Sequence, residues 1–201
     1  MGGRQGGYLQ DVVNHLNVPD TGRALLARIE RVESCSALDP PADLLRGTIL
    51  ASLPPGPVRQ ALRGNWLGHG AHPMLSDFVE GPWMAASFLD LFGPRGSADS
   101  ARRLLGFGLL VSVPAYLSGL LEWAEEERIE QRRVGLAHLA GISLAIGLYS
   151  ASYLVRRKGG RGRLLGVAGG LVALGDGYVG GHMSHVRQVA TGELDLRGAA
   201  R

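Results

Sequence analysis

The sequence predicts an all-α fold: a polytopic four-helix transmembrane bundle preceded by a short helical arm. Three observations carry that reading. From residue 73 onward, four apolar stretches recur, each near the ~20 residues that cover a ~30 Å hydrocarbon core. Polar connections bound them, GPRGSADSARR, EWAEEERIEQRR and RRKGGRGR. Five of the six histidines, His69, His72, His138, His182 and His185, cluster where those stretches begin or end. The alternative is a soluble bundle with buried helices, but an apolar all-round pattern suits lipid better.

Residues 1–20 read as flexible, with Gly2, Gly3, Gly6 and Gly7 early and Pro19 late. Thr21 can cap a short helix to about Glu33, with Leu25, Leu26, Ile29 and Val32 along one face. A second short helix is expected from about Ala42 to Ser52, and Pro54, Pro55 and Pro57 then break the chain. Residues 1–63 therefore form a soluble or interfacial arm rather than an independent core. The membrane domain covers 64–189. Its first span, 73–92, starts with Pro73 in the first turn, and Asp77 and Glu80 make it expensive in lipid. The second, 103–121, contains Pro114 as a kink. The third is 134–155 and the fourth 164–183. Residues 190–201 form a polar tail.

Composition narrows the function classes. Hydrophobic residues make up 45% and net charge is +3. The basicity is arginine in short connections, which fits membrane flanks and not a nucleic-acid groove. The single cysteine, Cys35, excludes an internal disulfide and any CxxC metal site, and reads as an incidental thiol. The start, MGGRQGGYLQDVVNH, has no apolar h-region, so no signal peptide is expected. Gly166-x-x-x-Gly170 and Gly177-x-x-x-Gly181 let a neighbouring backbone approach the fourth span, within the chain or in a homo-oligomer. With 31 glycines in 201 residues, such spacings also arise by chance.

Let side A be the membrane face where the first span starts. Alternating spans bring all five histidines to that side. His138 lies five residues after Arg133, roughly 7–8 Å along the helix. Asp77, Glu80 and Glu122 share the layer, and Asp176 is deeper. Tyr178, His182 and His185 form an i, i+4, i+7 stripe. Intramembrane ionisable groups usually face the bundle interior, which favours a convergent polar centre. Haem b would take two imidazoles from two helices. A transition metal (iron, copper or zinc) would take three or four ligands from a His/Asp set. A proton relay would need no cofactor. The expected cofactor ligands are His72, His138 and His182, and the wider metal set is His69, His72, Asp77, His138 and His182. Each also has a plain reading. His69 and His72 shape a helix entry, His138 ties helices, Asp77 caps or pairs with arginine, and His185 is interfacial. Trp66, Trp83 and Trp123, at or near span ends, read as interfacial anchors. His15, in the arm, carries no assignment.

The stretches WLGHGAHPMLSDFVEGPW, SGLLEW, RRVGLAHLAGISLAIGLYSASYLVRR and GYVGGHM carry a resemblance. From about Ala61 to Val189 the chain resembles a bacterial membrane-protein family, domain-of-unknown-function family 2231. Gly68, His69, His72 and Pro73 match a family pattern close to G-H-P-x-H-P, with Gly70 replacing the first proline. Val79 stands where proline is common; here proline appears at Pro82. His138 matches the third-span histidine, and Gly180, Gly181 and His182 match GGH; His185 replaces an aromatic. Some members of the family carry a Rieske-type iron–sulfur domain, which implies redox work at the membrane. In this chain such a partner would be a separate protein.

The resemblance implies a bacterial inner membrane as location. Lysine and arginine divide evenly between the two faces, so the positive-inside rule does not orient the bundle. The missing signal peptide favours a cytoplasmic side A, with both termini there. The leading functional expectation is a membrane protein binding haem b or a transition metal for electron transfer. The alternative is a structural or scaffold subunit whose histidines only tie helices together. No nucleophile motif points to an enzyme.

Overall fold

The computed structural model describes residues 20–94, 96–159 and 161–186, with backbone alone for 185 and 186. The expectations for residues 1–19 (with His15), the 190–201 tail and the His185 side chain lie outside them. The described residues are helical throughout, with no strand. The helices are α1 (Asp20–Glu33), α2 (Asp39–Ser52), α3 (Pro57–Arg63), α4 (Ala71–Phe92), α5 (Ala98–Glu125), α6 (Ile129–Arg157) and α7 (Arg163–Gly181). A single π-helical turn, His182–Val186, extends α7.

The arm holds one more helix than expected. Pro54, Pro55 and Pro57 do break the chain, but Pro57 also opens α3, where a missing N–H costs nothing. Pro40 and Pro41 likewise start α2 three residues earlier than expected.

Helices α4 to α7 form a ring. α4 packs along α5, α6 along α7, and the contacts α5–α6 and α4–α7 close it, leaving α4 and α6 on the diagonal. The core joins Val79, Trp83 and Ala86 of α4, Leu105 and Ala115 of α5, and Tyr149 of α6. The Trp83 and Tyr149 rings lie 4.4 Å apart at 33°. Three helices are long and apolar enough to cross a membrane: α5, α6 and α7 through Ser184. α4 falls short because His72, Asp77, Glu80 and Asp90 interrupt its apolar residues.

The end away from side A, side B, is tied by one buried pair. Arg156 Nη2 lies 2.5 Å from Asp90 Oδ2, with side chains only 6% and 4% exposed. Arg156 Nε also donates to Ser152 Oγ, whose hydroxyl donates to Gly162 O. This clamp joins α4, α6 and the start of α7.

At side A the arm covers the ring. Ala42 and Ile49 of α2 pack on Trp123, Ala124 and Leu139. Arg59 and Arg63 converge on Glu125, Arg133 forks onto Asp39, and Arg132 reaches Asp43. Arg46 Nε donates to Ala124 O, and Ser118 Oγ to Leu62 O. The Arg133 hydrogen bonds hold the Asp39 carboxyl below its ordinary value of 3.8. A depressed folded pKa means that its contribution is complete above the ordinary value and is lost as pH falls through the lowered one. The arm is therefore expected to loosen only in acid below about pH 4. Limited proteolysis across a pH series, with an acid-active protease, should show arm cleavage rising there and not near neutrality.

The tryptophans correct one expectation. Trp83 and Trp123 are 1% and 4% exposed and belong to the core. Trp123 Nε1 donates to Arg132 O, tying the end of α5 to the start of α6. Trp66, in the turn before α4, is the one of the three left exposed, at 69%.

Candidate functional site

A cavity of about 120 Å³ opens inside the ring, from the side A end toward the middle of the helices. His72 enters it from the first turn of α4 and His138 from α6, across the diagonal. Glu80 (α4), Glu122 (α5) and Asp176 (α7) add three carboxylates to its wall. The remaining wall is mainly apolar, with Val79, Leu139, Ile142, Ile146 and Ala173. Trp83 closes it toward side B, where the aromatic pair and the core seal the ring.

Both imidazoles have an acceptor beside the same nitrogen. His72 Nδ1 donates to Ala115 O at 2.9 Å, across the α4–α5 contact. His138 Nδ1 lies 3.1 Å from Asp176 Oδ2, an ion-pair separation across the α6–α7 contact. Asp176 reaches its place because Gly141 on α6 has no side chain: a Cβ there would collide with the carboxylate. Gly119 does the same for His72, since a Cβ would sit 2.6 Å from His72 Cε1. Gly119→Ala should push the ring off Ala115 O and destabilise the bundle by ~1–3 kcal/mol, the usual range for overpacking. Thermal unfolding in detergent checks this.

The structure brings together His72 and His138 from the expected ligand set and does not bring His182 to them. His182 is 5% exposed, but it lies outside the cavity wall and faces the arm, with Nε2 3.9 Å from Glu33 Oε1. His69 is exposed and its Nδ1 contacts Gly70 O at 2.9 Å, so it shapes the entry to α4. Asp77 is exposed and also lies off the cavity wall. Among the described residues, no three His, Cys, Asp or Glu side chains gather closely enough to hold a metal ion as they stand.

Sequence reasoning missed the Asp176–His138 pairing and the Asp90–Arg156 clamp. For the clamp a signal existed: an acid near the end of the first apolar stretch and an arginine at the end of the third, both on side B. For Asp176, the signal was an acid six residues before His182, inside an apolar span where an ionisable group seeks a partner.

Residues 68–193 match the model of one protein family, described as "Predicted membrane protein (DUF2231)". The chain belongs to this family. The match covers the whole ring and the histidine-bearing segments, and leaves the arm outside. As a member of a predicted membrane-protein family with three span-length apolar helices, it is a membrane protein. No curated protein and no solved structure matches it.

Proposed function

We propose that the chain crosses the membrane four times and binds a transition-metal ion in its side A cavity, through His72 and His138, for electron transfer. The fourth span is α4, which at ~1.5 Å per residue is long enough to cross. Its outward face is apolar: Met84, Phe88, Leu91 and Phe92 are all exposed. Asp90 turns to Arg156 and Glu80, though exposed, borders the cavity, while exposed Asp77 lies in the second turn, near the side A end. Average hydropathy counts these polar residues against a helix whose side B half presents an apolar outer face.

One observation carries the site: two imidazoles line one cavity, His72 with Nδ1 on a carbonyl and His138 with Nδ1 beside a carboxylate, which leaves both Nε2 nitrogens for a ligand. Metal-bound histidines characteristically have such a partner on the other nitrogen, which fixes the tautomer and raises ligand basicity. Iron, copper or zinc suits imidazole with carboxylate, and iron or copper would supply one-electron chemistry. Glu80 or Glu122 completes the shell by a side-chain rotation. Size favours an ion over haem b. The cavity's 120 Å³ is below the ~150 Å³ that admits a single benzene ring. A porphyrin would need the helices to part. The redox partner in this reading is a separate protein, such as an iron–sulfur protein, reached from side A.

A specific observation also favours the structural alternative. The His72–Ala115 and His138–Asp176 contacts both join neighbouring helices, as interhelical glue would. Protein purified from membranes without chelators separates the readings by metal analysis and by oxidised and reduced visible spectra. A stoichiometric metal lost in His138→Ala supports the ion, and a Soret band lost in that variant supports haem. Folded protein with neither would leave the structural reading.

A further inference from the structure

The seam between the arm and the bundle holds a second group of ligating atoms, separate from the cavity. α1 packs on α6 and on the π-helical turn through Ile29, Val134 and Met183. Three polar side chains are buried beside this contact: Glu33 is 8%, Gln131 3% and His182 5% exposed. They meet at one oxygen. Gln131 Nε2 donates to Glu33 Oε1 at 3.2 Å, and His182 Nε2 is 3.9 Å from that same oxygen. That last distance is too long for a direct hydrogen bond. His182 Nε2 and Gln131 Oε1 are both buried without a hydrogen-bond partner. Two such atoms beside one carboxylate are unusual in a packed seam, because each has given up water for nothing.

We propose that Glu33, Gln131 and His182 bind a divalent transition-metal ion, of which Zn²⁺ is the simplest probe, and that it staples the arm to the bundle. The geometry and the donor chemistry agree. Two ligands each ~2.1 Å from a common ion stand at most ~4.2 Å apart, so the 3.9 Å His182–Glu33 separation can bracket one. Turning the Gln131 amide over places Oε1 where Nε2 now sits, facing the same centre. O and N of an amide differ only by this assignment. The three donors are then an imidazole nitrogen, a carboxylate oxygen and an amide oxygen, with water completing the shell. The ligands come from α1, α6 and the turn after α7, so binding holds the arm in place. It also gives His182 a role apart from His72 and His138.

The test uses the full-length protein in detergent, stripped with chelator and titrated with Zn²⁺. Calorimetry and metal analysis give stoichiometry, and limited proteolysis gives arm docking. In the His72→Ala/His138→Ala background, which removes the cavity ligands, one equivalent is expected to bind and to slow arm cleavage several-fold. Adding His182→Ala or the near-isosteric Glu33→Gln should weaken that binding at least 100-fold and abolish the protection. Circular dichroism confirms the fold, and Glu33→Gln serves if His182→Ala does not fold. No binding in the double-alanine background, or binding that survives both seam substitutions, overturns the proposal. Neither result bears on the cavity, whose ligands are absent from this background.

Discussion

Arg156→Ala is expected to cost the bundle ~3–5 kcal/mol, the usual penalty for leaving one partner of a buried pair uncompensated. Asp90, 6% exposed in the parent, would lose its partner and keep its charge beside Ser152 and α7. Gly166 lets the carboxylate lie directly against α7. Loss of monodisperse protein on heating in detergent measures the effect. Asp90→Asn in the same background removes the stranded charge and should restore part of the loss. An Arg156→Ala protein as stable as the parent would show that Asp90 finds another partner.

The second large effect concerns metal binding in the cavity. His138→Ala should reduce affinity by more than Asp176→Asn. The aspartate only orients the ring and raises its basicity, and losing such a partner typically costs ~10–100-fold. His72→Ala should match His138→Ala, because each removes one imidazole. His69→Ala and Asp77→Ala should leave affinity unchanged, since neither side chain lines the cavity. Zn²⁺ titration of chelator-stripped protein in the His182→Ala background gives this ranking. Equal losses for Asp176→Asn and His138→Ala would mean that the aspartate itself is a ligand.

Much of the fold was legible because apolar runs of membrane length are hard to place otherwise. The expected spans 103–121 and 134–155 lie inside α5 and α6, which continue into the polar connections, and 164–183 covers α7 from its second residue on and the first two residues of its π-helical turn. The first span was equally visible as a helix, but its crossing rests on which face carries Asp77, Glu80 and Asp90. A linear sequence gives their spacing and not the helix's rotation about its axis. The same limit governs the histidines. Their common level followed from counting residues along alternating spans, and His72 and His138 do share a cavity. His182 has the right depth but the opposite azimuth, toward α1, and α1 lies 150 residues earlier in the chain. The arm's docking surface was illegible for a related reason. Arg59, Arg63 and Glu125 are ordinary surface charges until the fold places them together.

In the proposed cavity site, His72 and His138 hold one ligand between them. This is tested most directly by counting imidazole nitrogens on a paramagnetic ion. Electron spin-echo measurements on Cu²⁺-loaded protein, in the His182→Ala background, should detect two coordinated imidazoles. The count should fall to one in either His72→Ala or His138→Ala. A count of one or none in the starting protein, or a count that neither substitution changes, would contradict the account.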